Sequence, residues 1–479
     1  MMLSSKMPFF TQTQLELMKT KVFELLEQRG VKMDHPEILK LLGKSGALVD
    51  FDTRIVRFPK SFLEEQISKA PKKINLMGRN ATNILQIPRE DGTFHTRTNT
   101  GAQSWIDLNS GEYRKVTASD VTTWCRLANE LGHISFCAFP VPSDVPPATV
   151  DVHALRLMLQ SSMKHVWVQP YTQESLEYLI KLSVVAAEGE DALKKNPLVS
   201  FITCSLTPLE FKFMDLEIIL QCARLGIPLH ACSLPGAGAT APVTVPGVVI
   251  LSVAEILAML AAAQVVNSGI PVIATPLIFS TDMATGRSLQ SSAESIQGAA
   301  LAVQFIKAAF EIPTHTYGIG SDSPIIDGQC MSEGALRSML IGLSGADILG
   351  AAGQLEVATT ISPVQLAIDN EVFGMVKRMI TKITFDDDTL AWTDLLNAVP
   401  GSQFITSDHT LQHCRDGLMP INFIRMTRDE WDEKSHNDIV ARASEFCKNI
   451  LSKAEPIVLP GHLEKEMDAI VEGADKFLC

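Results

Sequence analysis

Through the middle of the chain, short apolar runs alternate with longer helical stretches, roughly every thirty to forty residues. The runs are His133–Phe139, Lys164–Gln169, Leu198–Cys204, Pro228–Ser233, Pro271–Pro276, Thr314–Gly320 and Ala346–Gly350. Continuous apolar segments of this length suit strands buried on both faces. The helical stretches between them imply right-handed crossovers and a parallel sheet. Seven visible units with room for an eighth predict an α/β fold, the (β/α)8 TIM barrel. The expected division is an N-terminal α+β extension over 1–130, the barrel over 131–365, and a C-terminal helical cap over 366–479.

The flanks carry their own signals. Leu15, Met18, Val22 and Leu25 recur at helical spacing before Gly30. Residues 47–58 read as a hairpin with Asp52-Thr53 at the turn, and 93–117 as a second β-rich segment. Past residue 364 the pattern is helical, with final helices expected over about 429–453 and 463–477, separated by Pro456 and Pro460-Gly461.

Composition narrows the class. With 46% hydrophobic and 20% charged residues, a large core is affordable within 479 residues. The net charge of −13 and the lack of a Lys/Arg run exclude a nucleic-acid footprint. Nine scattered cysteines without a Cys-x-x-Cys pair read as reduced thiols of a cytoplasmic protein. The most apolar stretch, 248–266, contains Glu255 and Gln264 and reads as a buried barrel helix rather than a membrane span.

Barrel chemistry belongs at the strand C-termini, so polar residues there are the candidates. In 164–169 the alternation gives His165, Trp167, Gln169 and Tyr171 one parity, predicted to point into the barrel. The segment 317–333 is the densest polar cluster after a strand; Asp322 and Asp327 there orient either a ligand or the next helix. Glu356 follows a small-residue strand exit, where it would serve a cation or the next helix N-terminus. The glycine-rich loop at 235–240 lacks both the P-loop ending and the third glycine of a dinucleotide fingerprint. No lysine ends a strand, and no nucleophile elbow or His-Glu-x-x-His occurs. His409 and His413 stand at i, i+4 without an evident third ligand, so no metal is expected.

Taken in order, Thr100–Asp107, Gly111–Thr117, Pro235–Pro242, Ser280–Gly286, Gly318–Glu333 and His409–His413 resemble the trimethylamine:corrinoid methyltransferase superfamily over most of the chain. The resemblance implies a cytoplasmic (β/α)8 enzyme of one-carbon metabolism. Such an enzyme moves a methyl group from an amine to the cobalt of a separate corrinoid protein. The founding branch carries pyrrolysine near the strand exit that corresponds to Gly318–Ser321, where this chain has standard residues. That departure points to the glycine betaine, proline betaine and carnitine branch. Members of that branch often have a His before the glycine matching Gly350, where this chain has Leu349.

A quaternary ammonium already has a neutral amine as leaving group, so aromatic faces that desolvate and aim the cation would suffice. The candidate substrate residues are Trp105, Trp167, Gln169, Tyr171, Phe279 and Tyr317, with Asp322 and Glu356 as electrostatic catalytic residues. Small residues Gly236, Gly238, Gly318 and Gly320 would let a corrin ring approach. No cofactor is expected in the chain itself; cobalamin would arrive on the partner protein, and a homo-oligomer is compatible. The competing readings are a non-catalytic betaine-binding protein and a lyase or isomerase on the same barrel.

Overall fold

A computed structural model describes residues 8–79, 83–433 and 437–479, and eight parallel strands organise it. They are β1 (His95–Thr98), β2 (Phe136–Ala138), β3 (His165–Val168), β4 (Val199–Cys204), β5 (Leu229–Ser233), β6 (Val272–Pro276), β7 (His315–Tyr317) and β8 (Ile348–Ala352). Each pairs with its neighbour in chain order, and β8 returns to β1 through Ile348 opposite His95. A bridge between Ala274 and Thr314 joins β6 to β7 and closes the barrel.

Side-chain alternation sorts each strand. Leu229 and Ala231 of β5 join the outer core under the helices, while Cys232 packs in a separate inner cluster with Phe136, Trp167, Ile202, Ile273, Tyr317 and Ile348. The outer set must be apolar because helices cover it. The inner set is free to be polar wherever hydrogen bonds are supplied.

The barrel begins earlier than the expected boundary at 131. β1 is His95-Thr-Arg-Thr98, a polar strand that hides its role from a hydrophobicity reading, yet all four residues are buried. At the other end the boundary at 365 cuts through the helix that follows β8.

The covering helices are α1 (Ala118–Glu130), α2 (Val150–Ser161), α3 (Leu176–Ala186), α4 (Phe213–Leu225), α5 (Val245–Val266), α6 (Ala293–Phe310), α7 (Gly328–Ser344) and α8 (Pro363–Ile380). Caps set several of their ends. Ser292 and Asp327 accept backbone N–H bonds at the starts of α6 and α7, and Gly226 ends α4 in the left-handed region at φ 72°. Among the described residues α5 is the one helix long and apolar enough to cross a membrane, but 89% of its most apolar window is buried inside the protein.

The N-terminal extension holds helices Gln12–Gln28, Pro36–Lys44 and Lys60–Lys69 and the expected hairpin, Leu48–Asp50 against Ile55–Arg57. Asp50 ties that turn by accepting from the Asp52 and Thr53 amides. A second hairpin, Ile74–Met77 with Ile84–Ile87, lies under the strand starts. Leu76, Leu85 and Ile87 join the inner cluster, the Met77 carbonyl accepts from His165, and the Gln86 carbonyl accepts from His95. The hairpin therefore plugs the lower end of the barrel. At the C-terminus, Ile439–Lys453 packs on α8 and α1, and Gly461–Leu478 packs on α3 and α2. The segment between α8 and these helices is mostly exposed and carries Phe385, Trp392, Leu396, Val399 and Ile405 outward, so only part of the expected cap sits on the barrel.

Candidate functional site

The inner faces of β1, β3, β5 and β7 bring Arg97, His165, Trp167, His230, His315 and Tyr317 into the barrel. The rings stack edge to face: Trp167 with His230 at 5.9 Å, Trp167 with His315 at 6.2 Å, and His230 with His315 at 5.3 Å. The Arg97 guanidinium carbon lies 4.1 Å from the Trp167 ring centroid. Arg97 is 0% exposed, and its named contacts are Nε to His315 Nε2 at 3.3 Å and Nη1 to the Thr98 carbonyl at 2.7 Å. Gly350 of β8 makes room for it. A Cβ there would lie 2.8 Å from both Arg97 Nη2 and His315 Nε2.

A hydrogen-bond chain fixes the histidine tautomers. The Met77 carbonyl can only accept, so His165 Nδ1 donates to it at 2.9 Å, leaving neutral His165 with Nε2 as an acceptor for the Ser200 hydroxyl at 2.9 Å. Ser200 in turn accepts from His230 Nε2 at 3.1 Å, so His230 Nδ1 keeps its lone pair. On the other side Arg97 donates to His315 Nε2, so His315 Nδ1 carries the proton. Burial depresses all three imidazoles: His165 to about 4, His230 and His315 well below the ordinary value, the last two also repelled by Arg97. All three are therefore neutral near pH 7. Burial also lowers Arg97, to about 10, which leaves it charged.

Around the mouth, Phe279 and Tyr317 meet edge to face at 6.2 Å. Burial pushes the Tyr317 hydroxyl up to about 12. Tyr171 stacks edge-on to Phe139 at 5.8 Å, and burial raises its hydroxyl pKa. Its backbone is fixed by fully buried Asp151, which accepts from the Tyr171 amide at 2.8 Å and the Ser175 hydroxyl at 2.6 Å. Gln169 Oε1 accepts from Thr100 at 3.4 Å. The inward parity read for β3 thus holds for His165 and Trp167, and Gln169 and Tyr171 follow at the strand exit.

Other expectations change. Trp105 is not in the barrel: it packs in the outer core against Trp124, with ring centroids 5.9 Å apart, because its strand, Ser104–Ile106, belongs to a separate small sheet. Trp167 is in the barrel, but the protein's own Arg97 cation lies against its ring. Asp322 accepts from the Gln290 and Ser291 amides at 3.1 and 2.9 Å, tying the loop after β7 to the loop after β6. Burial raises its carboxyl pKa from the ordinary value. Glu356 accepts from Thr360 within its own turn and does not reach the barrel interior through any of its hydrogen bonds. Asp327 proves to be the cap of α7, accepting from the Cys330 amide.

Gly318 and Gly320 do not leave space for a macrocycle. A Cβ at Gly318 would fall 2.2 Å from Leu349, and one at Gly320 would fall 2.9 Å from the Gln354 amide. The protein itself fills both spaces. Gly236 and Gly238 remain half-exposed in the loop after β5, where the nearest neighbour of an added Cβ at Gly238 is the Met283 sulfur. Leu349 faces the outer core and takes no part in the interior. On the exposed tail, Asp388 supplies the third group that the His409/His413 spacing lacks; the three ligand-type atoms lie within 4.8 Å of one another. These groups already engage each other. His413 pairs with Asp388 and Asp416, which raise its pKa, and His409 bonds the Asp388 carbonyl.

Sequence reasoning missed Arg97, His230, His315 and Ser200. The alternation test applied to β3 finds the two histidines when extended to β5 and β7, where they share parity with Cys232 and Tyr317. Arg97 is found only once the polar strand is recognised as barrel.

Comparison with known proteins agrees with this architecture. The family described as trimethylamine methyltransferase (MTTB) matches residues 3–475. The trimethylamine methyltransferase MttB of Desulfitobacterium hafniense (strain DSM 10664 / DCB-2) is 30% identical over 97% of this chain and 93% of its own length. The glycine betaine methyltransferase of Desulfitobacterium hafniense (strain Y51) is 26% identical over 97% of both. The crystal structure of the Methanosarcina barkeri monomethylamine methyltransferase superposes with a TM-score of 0.56 at 14% identity, covering 95% of this chain and 90% of that one, a likeness of fold. With the match spanning nearly every described element from the lower hairpin to the last helix, the chain belongs to the trimethylamine methyltransferase (MTTB) family and is a methyltransferase.

Proposed function

We propose that this methyltransferase takes a methyl group from a quaternary amine of the betaine type and delivers it to the cobalt of a corrinoid carried by a separate protein. The observation that carries the reading is the protonation state of the barrel interior. His165, His230 and His315 are held neutral by burial, and the permanent charge beside them among the described residues, Arg97, is a guanidinium that stays protonated near pH 7. Such an interior is poorly suited to protonating a departing amine. A quaternary ammonium needs no proton: the C–N bond breaks, nitrogen keeps the electron pair, and a neutral tertiary amine leaves as the methyl passes to the acceptor's nucleophile. Standard residues at Gly318–Ser321 and the similarity to a glycine betaine methyltransferase support the same choice.

Phe279 and Tyr317 supply aromatic surface at the mouth for the cation, at about 0.5–2 kcal/mol per contact. Tyr171 and Gln169 border the same opening. The half-exposed loop of Gly236 and Gly238 is the approach for the partner's corrin. The match to methyltransferases over the whole length leaves the lyase, isomerase and pure binding readings without support.

The test is direct. The protein is mixed with reduced free cobalamin and glycine betaine, carnitine, choline or trimethylamine, and the spectrum of the corrin is followed. Methylation by a quaternary amine but not by trimethylamine is expected. Equal turnover of trimethylamine would overturn the reading.

A further inference from the structure

Resting on that reading, we infer that Arg97 is the specificity-determining residue of the barrel: it holds the carboxylate of a zwitterionic amine, and the quaternary ammonium is thereby directed out to the mouth. Four buried nitrogens in one cluster have no hydrogen-bond partner in the protein: Arg97 Nη2, Trp167 Nε1, His230 Nδ1 and His315 Nδ1. The tautomers derived above make three of these donors and one an acceptor. A native core leaves few such groups unpaired, because each costs the equivalent of a lost hydrogen bond. Here the orphans gather around a guanidinium that is 0% exposed and forms no ion pair with a carboxylate among the described residues. A buried charge of this kind is normally paired. Three spare donors beside an unpaired cation make a binding set for an anion, and a planar guanidinium edge suits a carboxylate.

The direction of the barrel supplies the rest. The lower end is plugged by the paired strands Ile74–Met77 and Ile84–Ile87, so a ligand enters from above. A corrin ring is too large to enter an eight-stranded barrel filled with side chains, so the reacting methyl must be at the mouth. The other end of the substrate then points down, and the residue it meets is Arg97. Two features preserve that arrangement. Gly350 leaves the space that Nη2 occupies, and Trp167 lies against the guanidinium. Leu349, packed outside, has no route to the carboxylate.

Glycine betaine and choline share the trimethylammonium group, and only the first has a carboxylate. Transfer from each to free cob(I)alamin is measured with wild type, Arg97→Lys and Arg97→Met, with far-ultraviolet circular dichroism to verify folding. The kcat/KM ratio of betaine to choline should fall about ten- to hundredfold in Arg97→Met and less in Arg97→Lys. An equal fall for both amines would mean a purely structural Arg97 and would overturn the proposal. Calorimetric binding of N,N-dimethylglycine and of acetate to the unmodified protein separates this idea from the reaction itself. Both should bind, acetate should compete with dimethylglycine, and Arg97→Met should abolish both. If no quaternary amine is demethylated but this carboxylate binding holds, the function fails and the anion site stands. If neither carboxylate binds wild type, the anion site is wrong whatever the reaction.

Discussion

Replacing Glu255 with Gln should loosen the loop after β4 without disturbing the helix that carries it. Glu255 is 0% exposed on α5. Its Oε2 accepts from Ser205 at 2.6 Å, Thr207 at 2.9 Å and Ser233 at 2.6 Å, and its Oε1 accepts from the Leu209 amide at 2.8 Å. Four donors therefore converge on one carboxylate that ties the exits of β4 and β5 together. Leu209 needs the support: its φ is +59°, a left-handed conformation that costs a branched side chain about 1 kcal/mol or more. A Gln offers one oxygen. If that oxygen serves the three hydroxyls, the NH2 faces the Leu209 N–H and leaves it orphaned, at about 1–3 kcal/mol. The three remaining bonds also lose the ionic acceptor, at about 0.5–1 kcal/mol each. Relief of the buried charge returns part of this, so the net local cost is about 2 kcal/mol. Hydrogen exchange over residues 203–211 should then run roughly thirtyfold faster in Glu255→Gln, since each 1.4 kcal/mol is a factor of ten. Unchanged exchange in that segment would show that the carboxylate does not hold the loop.

Two further outcomes follow from the same kind of accounting. Asp369, 1% exposed, accepts from the Gly353 amide and from Gln365, yet burial lifts its pKa from 3.8 to about 7. A raised acid favours folding fully below the unfolded pKa and loses that contribution as pH rises through about 7. Asp369→Asn should therefore gain stability relative to wild type between pH 4 and pH 8, up to ~4 kcal/mol for about three units; a pH-independent difference in denaturation midpoints would refute this. Gly318→Ala should destabilise by about 1–3 kcal/mol because its Cβ would fall 2.2 Å from Leu349. Adding Leu349→Gly, which removes both the Cβ and the Cγ that would lie 2.2 Å away, should recover part of that loss, and a double-mutant cycle with no favourable coupling would contradict the packing described.

The hydrophobic pattern displayed seven of the eight strands because their outward faces must be apolar wherever helices cover them. The eighth escaped because β1 spends its inner face on Arg97 and its outer face on threonines, Thr96 and Thr98. Both threonine hydroxyls donate to neighbouring backbone carbonyls, Thr96 to His133 and Thr98 to Ala138, and so tolerate burial. Trp105 was misplaced for a related reason: nothing in the order of residues tells a small accessory sheet from a barrel strand. Asp322 and Glu356 lie at strand exits as expected, but whether a carboxylate faces a ligand or a neighbouring amide depends on loops that meet only in three dimensions. Gly318 and Gly320 illustrate the same limit. Small residues mark close approach, and the approaching group is the protein's own Leu349 and Gln354.

The lower hairpin turns the barrel from a conduit into a blind tube. Whatever reaches its interior must leave by the way it came. In the proposed reaction the corrinoid protein covers that same opening, so the two substrates cannot load in either order: the amine goes in first, and the docked partner becomes its stopper. The demethylated amine is then confined until the partner departs. Turnover would thus be timed by undocking, and each docking event would deliver one methyl group before the tube can be refilled.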